Sequence, residues 1–265
     1  MSAILETKMD HNTLHFLPFL PTRKREKGFY VKREWGNLEL EITARETLNT
    51  YDLVTLLFTV KEYLKTGYKA GEINGKEIAG ITINVKKLLK ERGLLTKKAN
   101  RLTLLNSFLR LKTIDLVFTN KQGAKNYTTY IYEIEVDKDI TEIKIAANKR
   151  FIDFVTTKGI LVNLERIIKY TDKEQYAILL DLYLQGTKRK KEIKSRQFLQ
   201  YREKYYTQEI VKALKLDLTN MPAFKIRQVI KNTFKILNEK GIPLYTYNKI
   251  EDAWERTDIN KHKIK

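Results

Sequence analysis

The chain contains no cysteine, which removes disulfides, thiolate catalysis and cysteine-based zinc sites together. Histidine is nearly absent as well. Of the three, His11 and His15 are spaced i,i+4 but lack the glutamate of a zinc-protease motif, and His262 stands apart. A rolling-circle nickase would need a His-apolar-His motif beside a nucleophilic tyrosine such as Tyr205 or Tyr206, and the histidines for it are missing. No run approaches the roughly 18 apolar residues of a membrane span. Nor does the N-terminus carry an apolar stretch ending in a small-residue cleavage site, so neither membrane nor secretion is expected. Phosphate-cradling glycines are missing too. Gly71-Glu72-Ile73-Asn74-Gly75-Lys76-Glu77 is one residue short of a phosphate loop and ends in an acid, so it reads as a turn. Glu133, Glu135 and Asp137 alternate along one run, which reads as the solvated face of a strand in preference to a nuclease-like metal-binding row, and which also suits contact with a basic partner or a second copy of the chain. Without a triad, a metal cluster or a cofactor turn, no enzyme and no cofactor are expected. The composition fits an intracellular, cytoplasmic protein.

Acidic residues are outnumbered. The 265 residues hold 51 Lys+Arg against 32 Asp+Glu, a formal net charge of +19. Charge of that size attracts polyanions, nucleic acid first and anionic membrane second. A hydrophobic fraction of 42%, with 15 Tyr and 11 Phe, is enough to build cores, which argues against a disordered basic tail. The charge is uneven: residues 185–240 carry +10 of the total +19.

Residues 1–40, with Pro18, Pro21 and the basic run Arg23-Lys24-Arg25-Glu26-Lys27, read as a flexible arm that either touches DNA or is a solvated tail. Residues 41–150 read as a first unit. Thr47–Lys65 is a strong helix capped by Thr47 or Asn49, a glycine-rich connection follows, and a short helix near Asn84–Arg92 stops at Gly93. The next helix, Lys97–Lys112, should bury Leu102, Leu105, Phe108 and Leu109, leaving Asn100, Arg101, Thr103, Asn106, Ser107 and Arg110 polar. Two β-rich runs, Ile114–Thr119 and Tyr127–Asp137, joined at 120–126, then form a hairpin. Three helices and a two-stranded wing make a winged helix. Residues 151–265 repeat the pattern: a helix over Asp172–Leu184, a basic stretch, a Thr207-capped helix to Leu216, and Met221–Lys240, closed by Gly241 and a possible second wing. The expected fold is α+β, two winged-helix domains in tandem.

The Met221–Lys240 helix is the most pointed feature. Ile226, Ile230, Phe234 and Leu237 fall on one side, edged by Val229 and Thr233, while Lys225, Gln228, Lys231, Asn232 and Lys235 gather opposite. Lysines meet phosphates and amides pair with base edges, so this face suits a DNA major groove. Arg227 projects toward the flank as a phosphate contact. The run Leu216-Asp217-Leu218-Thr219-Asn220-Met221-Pro222-Ala223-Phe224-Lys225-Ile226-Arg227-Gln228-Val229-Ile230, continuing to Ile236-Leu237-Asn238, resembles the second winged helix of iteron-binding plasmid replication initiators. One residue separates the family's usual Ile-Asn pair. Tyr176-Ala177-Ile178-Leu179-Leu180-Asp181-Leu182-Tyr183 resembles another family segment, without its Arg before Leu. The resemblance is clearest over about 170–248 and is architectural over 45–140.

That resemblance implies binding of double-stranded DNA at repeated origin sites, opening of the adjacent duplex and recruitment of a host replication initiator and helicase. It also implies a homodimer formed through the first unit and repression of the protein's own gene. The residues expected to contact DNA are Lys225, Arg227, Gln228, Lys231, Asn232 and Lys235 in one groove, and Asn100, Arg101, Thr103, Asn106 and Arg110 in another. Lys188, Arg189, Lys190, Lys191, Lys121 and Lys125 are expected on phosphates. Two helices on one duplex face would place their sites roughly 10 bp apart. A winged-helix transcriptional repressor differs only in its target, and a non-specific RNA- or membrane-surface-binding protein would show no preference among DNA sequences.

Overall fold

The computed structural model describes residues 6–9, 19–22, 25–35, 38–158, 160–171, 173–193, 196–216, 218 and 220–257. The fold is α+β. It opens with β1 (Glu6–Met9), β2 (Phe19–Leu20), β3 (Lys27–Trp35), β4 (Leu38–Glu46) and β5 (Leu48–Asn49). Much of the expected arm is therefore built into sheets, a correction to the sequence reading. β3 runs antiparallel to β4 from Lys27 opposite Glu46 to Trp35 opposite Leu38, and β2 lies parallel to β5 with Phe19 fully buried. Phe29, Tyr30, Val31 and Trp35 in β3, with Ile42 and Thr43 in β4, favour this pairing over solvated coil. His11, His15, Pro18, Arg23, Lys24 and His262 lie outside the described residues.

The first helix, α1 (Thr50–Thr66), starts at a complete capping box. The Asn49 side chain accepts the N–H groups of Tyr51 and Asp52, and the Asp52 carboxylate accepts the N–H of Asn49. Unlike a surface helix, α1 is buried over most of its circumference and sits at the centre of the unit. Its threonines are satisfied locally: Thr55 and Thr59 donate to the carbonyls of Tyr51 and Thr55.

The glycine-rich connection proves to be a hairpin, β6 (Lys69–Ile73) and β7 (Lys76–Asn84). Its Asn74-Gly75 corner has both residues at positive φ, 50° and 74°, the geometry that matches strand twist in a two-residue turn. Next come α2 (Val85–Glu91), capped by Asn84 and ended at Gly93 (φ 69°), and α3 (Lys98–Lys112).

β8 (Asp115–Thr119) and β9 (Lys125–Thr129) form the expected hairpin, with Asn120 Oδ1 accepting the N–H groups of Gln122 and Ala124. This hairpin joins β3 and β4, not the strand preceding α2. Instead the Tyr127–Asp137 run breaks in two. Tyr130 and Ile131 are both buried, an interruption of strand alternation that sends β10 (Ile131–Val136) into a different sheet. There β10 pairs with β11 (Glu142–Asn148), and β11 pairs with β7, giving the order β10-β11-β7-β6.

Beyond α4 (Lys149–Lys158), β12 (Ile160–Asn163) pairs with β1 and leads into α5 (Leu164–Ile167) and α6 (Gln175–Gly186). Fully buried Asp181 holds these elements together. It accepts both Arg166 Nε and Nη2 (2.7 Å each), the Tyr170 hydroxyl (2.9 Å) and Gln185 Nε2 (3.0 Å). The hairpin β13 (Arg189–Ile193) and β14 (Arg196–Gln200) intervenes before β15 (Lys204–Tyr206), α7 (Thr207–Leu214) and α8 (Ala223–Glu239). β16 (Tyr245–Asn248) and β17 (Ala253–Arg256) then close a sheet in the order β15-β17-β16.

One sequence of elements thus occurs twice: a helix, a strand, two helices and a hairpin whose second strand pairs with the first strand of the set. In the first half it is α1, β7, α2, α3, β10 and β11; in the second, α6, β15, α7, α8, β16 and β17. The halves share a continuous apolar core in which α1 packs on α6. Lys215, at the left-handed end of α7 (φ 55°), adds a link by donating to the Phe19 carbonyl at 2.6 Å.

Candidate nucleic-acid interface

In α8 the wheel reading and the structure coincide. Ile226, Ile230, Thr233, Phe234 and Leu237 are buried, with Val229 half-buried. Phe234 lies 4.9 Å from the Tyr245 ring and 5.3 Å from Trp254, which fixes the helix on the sheet behind it. That packing turns Lys225, Gln228, Lys231, Asn232 and Lys235 outward, all exposed. Gln228 Nε2 donates to Asn232 Oδ1 at 3.1 Å, so the two amides are oriented as a pair one turn apart. The first turn contains no acid, and no side chain of the N-cap residue caps it. A face of three lysines and a coupled amide pair can meet phosphates and the donor–acceptor edges of bases.

Arg227 leaves this face, as its flanking position requires. Its guanidinium lies over the Tyr247 ring at 5.7 Å, on the strand leading to the closing turn. The Tyr247 hydroxyl donates to Asp252 Oδ1 at 2.7 Å, and that hydrogen bond holds the phenol above its ordinary pKa. Asp252 also accepts the Thr207 hydroxyl at 2.9 Å, so α7, α8 and the closing turn form one braced unit. The turn itself, with Lys249 and Ile250 at its tip, carries exposed groups that sequence reasoning did not select. The signal was present in Asn248-Lys249-Ile250-Glu251-Asp252, a polar turn with an apolar residue inside it.

The corresponding helix of the first half, α3, departs from expectation. Its buried residues are Leu104, Ser107, Phe108 and Leu111, whereas Leu102 and Leu109 are 40% and 44% exposed. Arg110, expected on DNA, turns inward: its Nε and Nη2 donate to Asp52 Oδ1 at 3.1 and 2.8 Å. Ser107 donates to the same oxygen at 2.7 Å. Leucines occur nearly all round this helix, so apolar periodicity could not orient it, and the buried carboxylate decides which side faces in. Arg101 donates to the Asp139 carbonyl on the β10–β11 turn, and Asn100 donates to the Leu95 carbonyl at 2.7 Å. Thr103 back-bonds to Ala99 at 2.9 Å but remains exposed, as does Asn106.

Of the expected phosphate contacts, Lys121 and Lys125 sit on the β8–β9 hairpin, not on the hairpin paired with β7, and Lys125 lies 3.9 Å from Glu41. Lys188 is half-buried with its Nζ 4.3 Å above the Tyr201 ring. Arg189, Lys190 and Lys191 lie in β13, and their side chains fall outside the described residues. In the acidic row, Glu135 pairs with Lys144 at 3.1 Å, and Asp137 Oδ1 accepts the N–H groups of Thr141 and Glu142, which fixes the turn. The Gly71–Glu77 segment is a β-hairpin. Among the described residues no helix is long and apolar enough to cross a membrane.

The chain folds like domains 2 and 3 of RctB. A crystal structure of a selenomethionine derivative of those domains matches with a TM-score of 0.53 and 12% identity, covering 86% of each chain. A second crystal structure of RctB domains 2–3 matches with a TM-score of 0.51 and 12% identity, over 92% of this chain and 96% of that one. At such identity the likeness is one of fold. No protein-family model matches the sequence, and no curated protein does.

Proposed function

We propose that the protein is a non-catalytic, sequence-specific double-stranded DNA-binding protein that initiates plasmid replication by occupying repeated sites at an origin. It works in the cytoplasm through two winged helices in tandem, and the second is the principal reader. The exposed face of α8 carries this reading: three lysines and a coupled amide pair stand on a helix whose opposite side is locked into an aromatic core. The twice-repeated element order, the fold shared with RctB domains 2–3 and the plasmid-initiator resemblance of residues 216–238 support it. Recruitment of a host initiator and helicase, and self-association through the first unit, follow from the same resemblance. The inward turn of Arg110 leaves α3 with fewer groups for bases than α8, so its share of the reading is the smaller one.

Selection of sites from random duplexes tests the proposal. Recovery of one motif that also occurs as tandem direct repeats beside an origin is the expected outcome, whereas a lone inverted repeat would point to a repressor. Equal capture of random RNA or anionic vesicles would defeat the DNA reading altogether.

Two variant classes should separate reading from holding. Asn232→Ala is expected to relax base preference with a loss of about 1–3 kcal/mol on the selected site, measured by competition against mutated duplexes. Equal losses on selected and random DNA would contradict that role. Lys231→Ala and Lys235→Ala should weaken all sequences alike, each lowering the slope of log K against log salt by about one unit.

A further inference from the structure

The turn between β16 and β17 places an isoleucine almost wholly in solvent: Ile250 is 96% exposed. A lone exposed apolar side chain is ordinary on a protein surface. What sets this one apart is how firmly it is held. Asn248 Oδ1 accepts the N–H groups of Ile250 (3.0 Å) and Glu251 (3.4 Å). Asp252 adopts a left-handed φ of 46°, its carboxylate takes the Thr207 and Tyr247 hydroxyls, and its carbonyl accepts the Thr207 N–H at 3.0 Å. Both acids of the turn are engaged, since Glu251 pairs with Lys204. The groups left at the tip are Ile250 and the exposed cation of Lys249. Arg227, in the N-terminal half of α8, stacks on Tyr247 at the tip end of β16, so the reading helix and the turn share one end of the unit.

We propose that Ile250 is a wedge for duplex DNA. With α8 in the major groove, the wing tip enters the neighbouring minor groove, Lys249 meets a phosphate, and the isoleucine inserts between two base pairs, unstacking and bending the duplex. Apolar side chains of this size act in that way elsewhere. A turn already fixed by hydrogen bonds loses little freedom on insertion, whereas a mobile tip would have to be ordered first. The inference rests on the reading of α8 as a groove helix. It adds a preference at a position that no polar side chain reads: flexible TA or CA/TG steps unstack most easily and should lie beneath the wing.

The test uses the full chain and a duplex that it selects from a random pool. The duplex carries a donor–acceptor dye pair at its ends and 2-aminopurine at successive flanking positions. The wild-type protein should shorten the end-to-end distance and brighten 2-aminopurine at one step. Ile250→Ala should lose both signals and bind about tenfold more weakly, the scale of one buried aliphatic side chain. Lys249→Ala should bind more weakly yet keep the bend. A mismatch at the inserted step should tighten wild-type binding and leave Ile250→Ala unchanged. Because Ile250 is solvent-exposed, the thermal unfolding of Ile250→Ala should overlay the parent's, which excludes misfolding as the cause. A bend and a 2-aminopurine signal that persist in Ile250→Ala overturn the wedge while leaving the α8 reading intact. Failure of the wild-type chain to enrich any duplex overturns both.

Discussion

Asp52→Ala is expected to destabilise the protein by about 3–5 kcal/mol, the scale of breaking a buried ion pair by removing one partner. Every hydrogen-bonding neighbour of this fully buried carboxylate is a donor. Oδ1 receives Arg110 Nε, Arg110 Nη2 and the Ser107 hydroxyl, while Oδ2 receives Arg25 Nη1 (3.0 Å) and the Asn49 N–H (3.1 Å). Alanine leaves the nearly buried Arg110 guanidinium without its counter-charge and removes the acceptor of the Asn49 N–H that completes the capping box of α1, while the Asn49 side chain still caps the helix. Arg25 and Ser107 soften the loss. The arginine side chain is partly exposed and can turn to water, and the serine also reaches Thr55 Oγ1 at 3.0 Å. Asp52→Asn should recover little, because either orientation of its amide points N–H donors at N–H or O–H donors. Urea denaturation of parent and variants measures the effect. A loss under about 1 kcal/mol for Asp52→Ala would show that water or rearranged side chains replace the carboxylate.

The same residue explains where the sequence was legible and where it was not. α8 could be oriented from its wheel because its apolar and polar residues segregate, and the structure buries the predicted side. In α3 the apolar residues Leu102, Leu104, Leu105, Phe108, Leu109 and Leu111 surround the axis, so the deciding interaction is a carboxylate 58 positions away from Arg110. No local pattern announces such a contact. Hairpins behaved similarly. The turn at residues 120–126 is legible as turn chemistry, but which sheet a hairpin joins is settled by long-range pairing. The adjacent buried pair Tyr130 and Ile131 is the one local trace of the switch from β9 to β10. Strands β1, β2 and β3 were missed for a related reason. Their partners β12, β5 and β4 contribute the pairing, and although Phe29, Tyr30 and Val31 favour a strand, residues 1–35 do not show which segment it pairs with.

Phe234→Ala is the second large effect expected, at about 3–5 kcal/mol for removing a fully buried aromatic side chain. Phe234 is where α8 meets its sheet. Beyond it, the ring contacts continue from Tyr245 to Tyr205 at 5.4 Å, from Tyr205 to Tyr183 of α6 at 5.8 Å, and from Trp254 to Tyr247 at 5.3 Å. Truncation therefore leaves a cavity at the junction of α8, β16 and β17 and removes two direct ring pairs, each worth about 0.5–1.5 kcal/mol beyond area burial. Phe234→Leu keeps apolar volume and should lose mainly those pair terms, so it should fall between parent and alanine. Trp254, buried beside the ring, supplies a local reporter: its fluorescence should shift in Phe234→Ala under conditions where circular dichroism still shows a folded chain. On the proposed reading of α8, DNA binding measured under those conditions should fall as well, although Phe234 cannot reach a duplex. The lysine and amide face of α8 and the Ile250 turn are positioned by the same packed rings, and the Arg227–Tyr247 contact connects them. Should Phe234→Ala lose stability but keep full affinity and the DNA bend, the backbone of α8 and the turn must be set by their hydrogen bonds alone. The bracing through Tyr247, Asp252 and Thr207 would then be the element that aligns α8 and the β16–β17 turn.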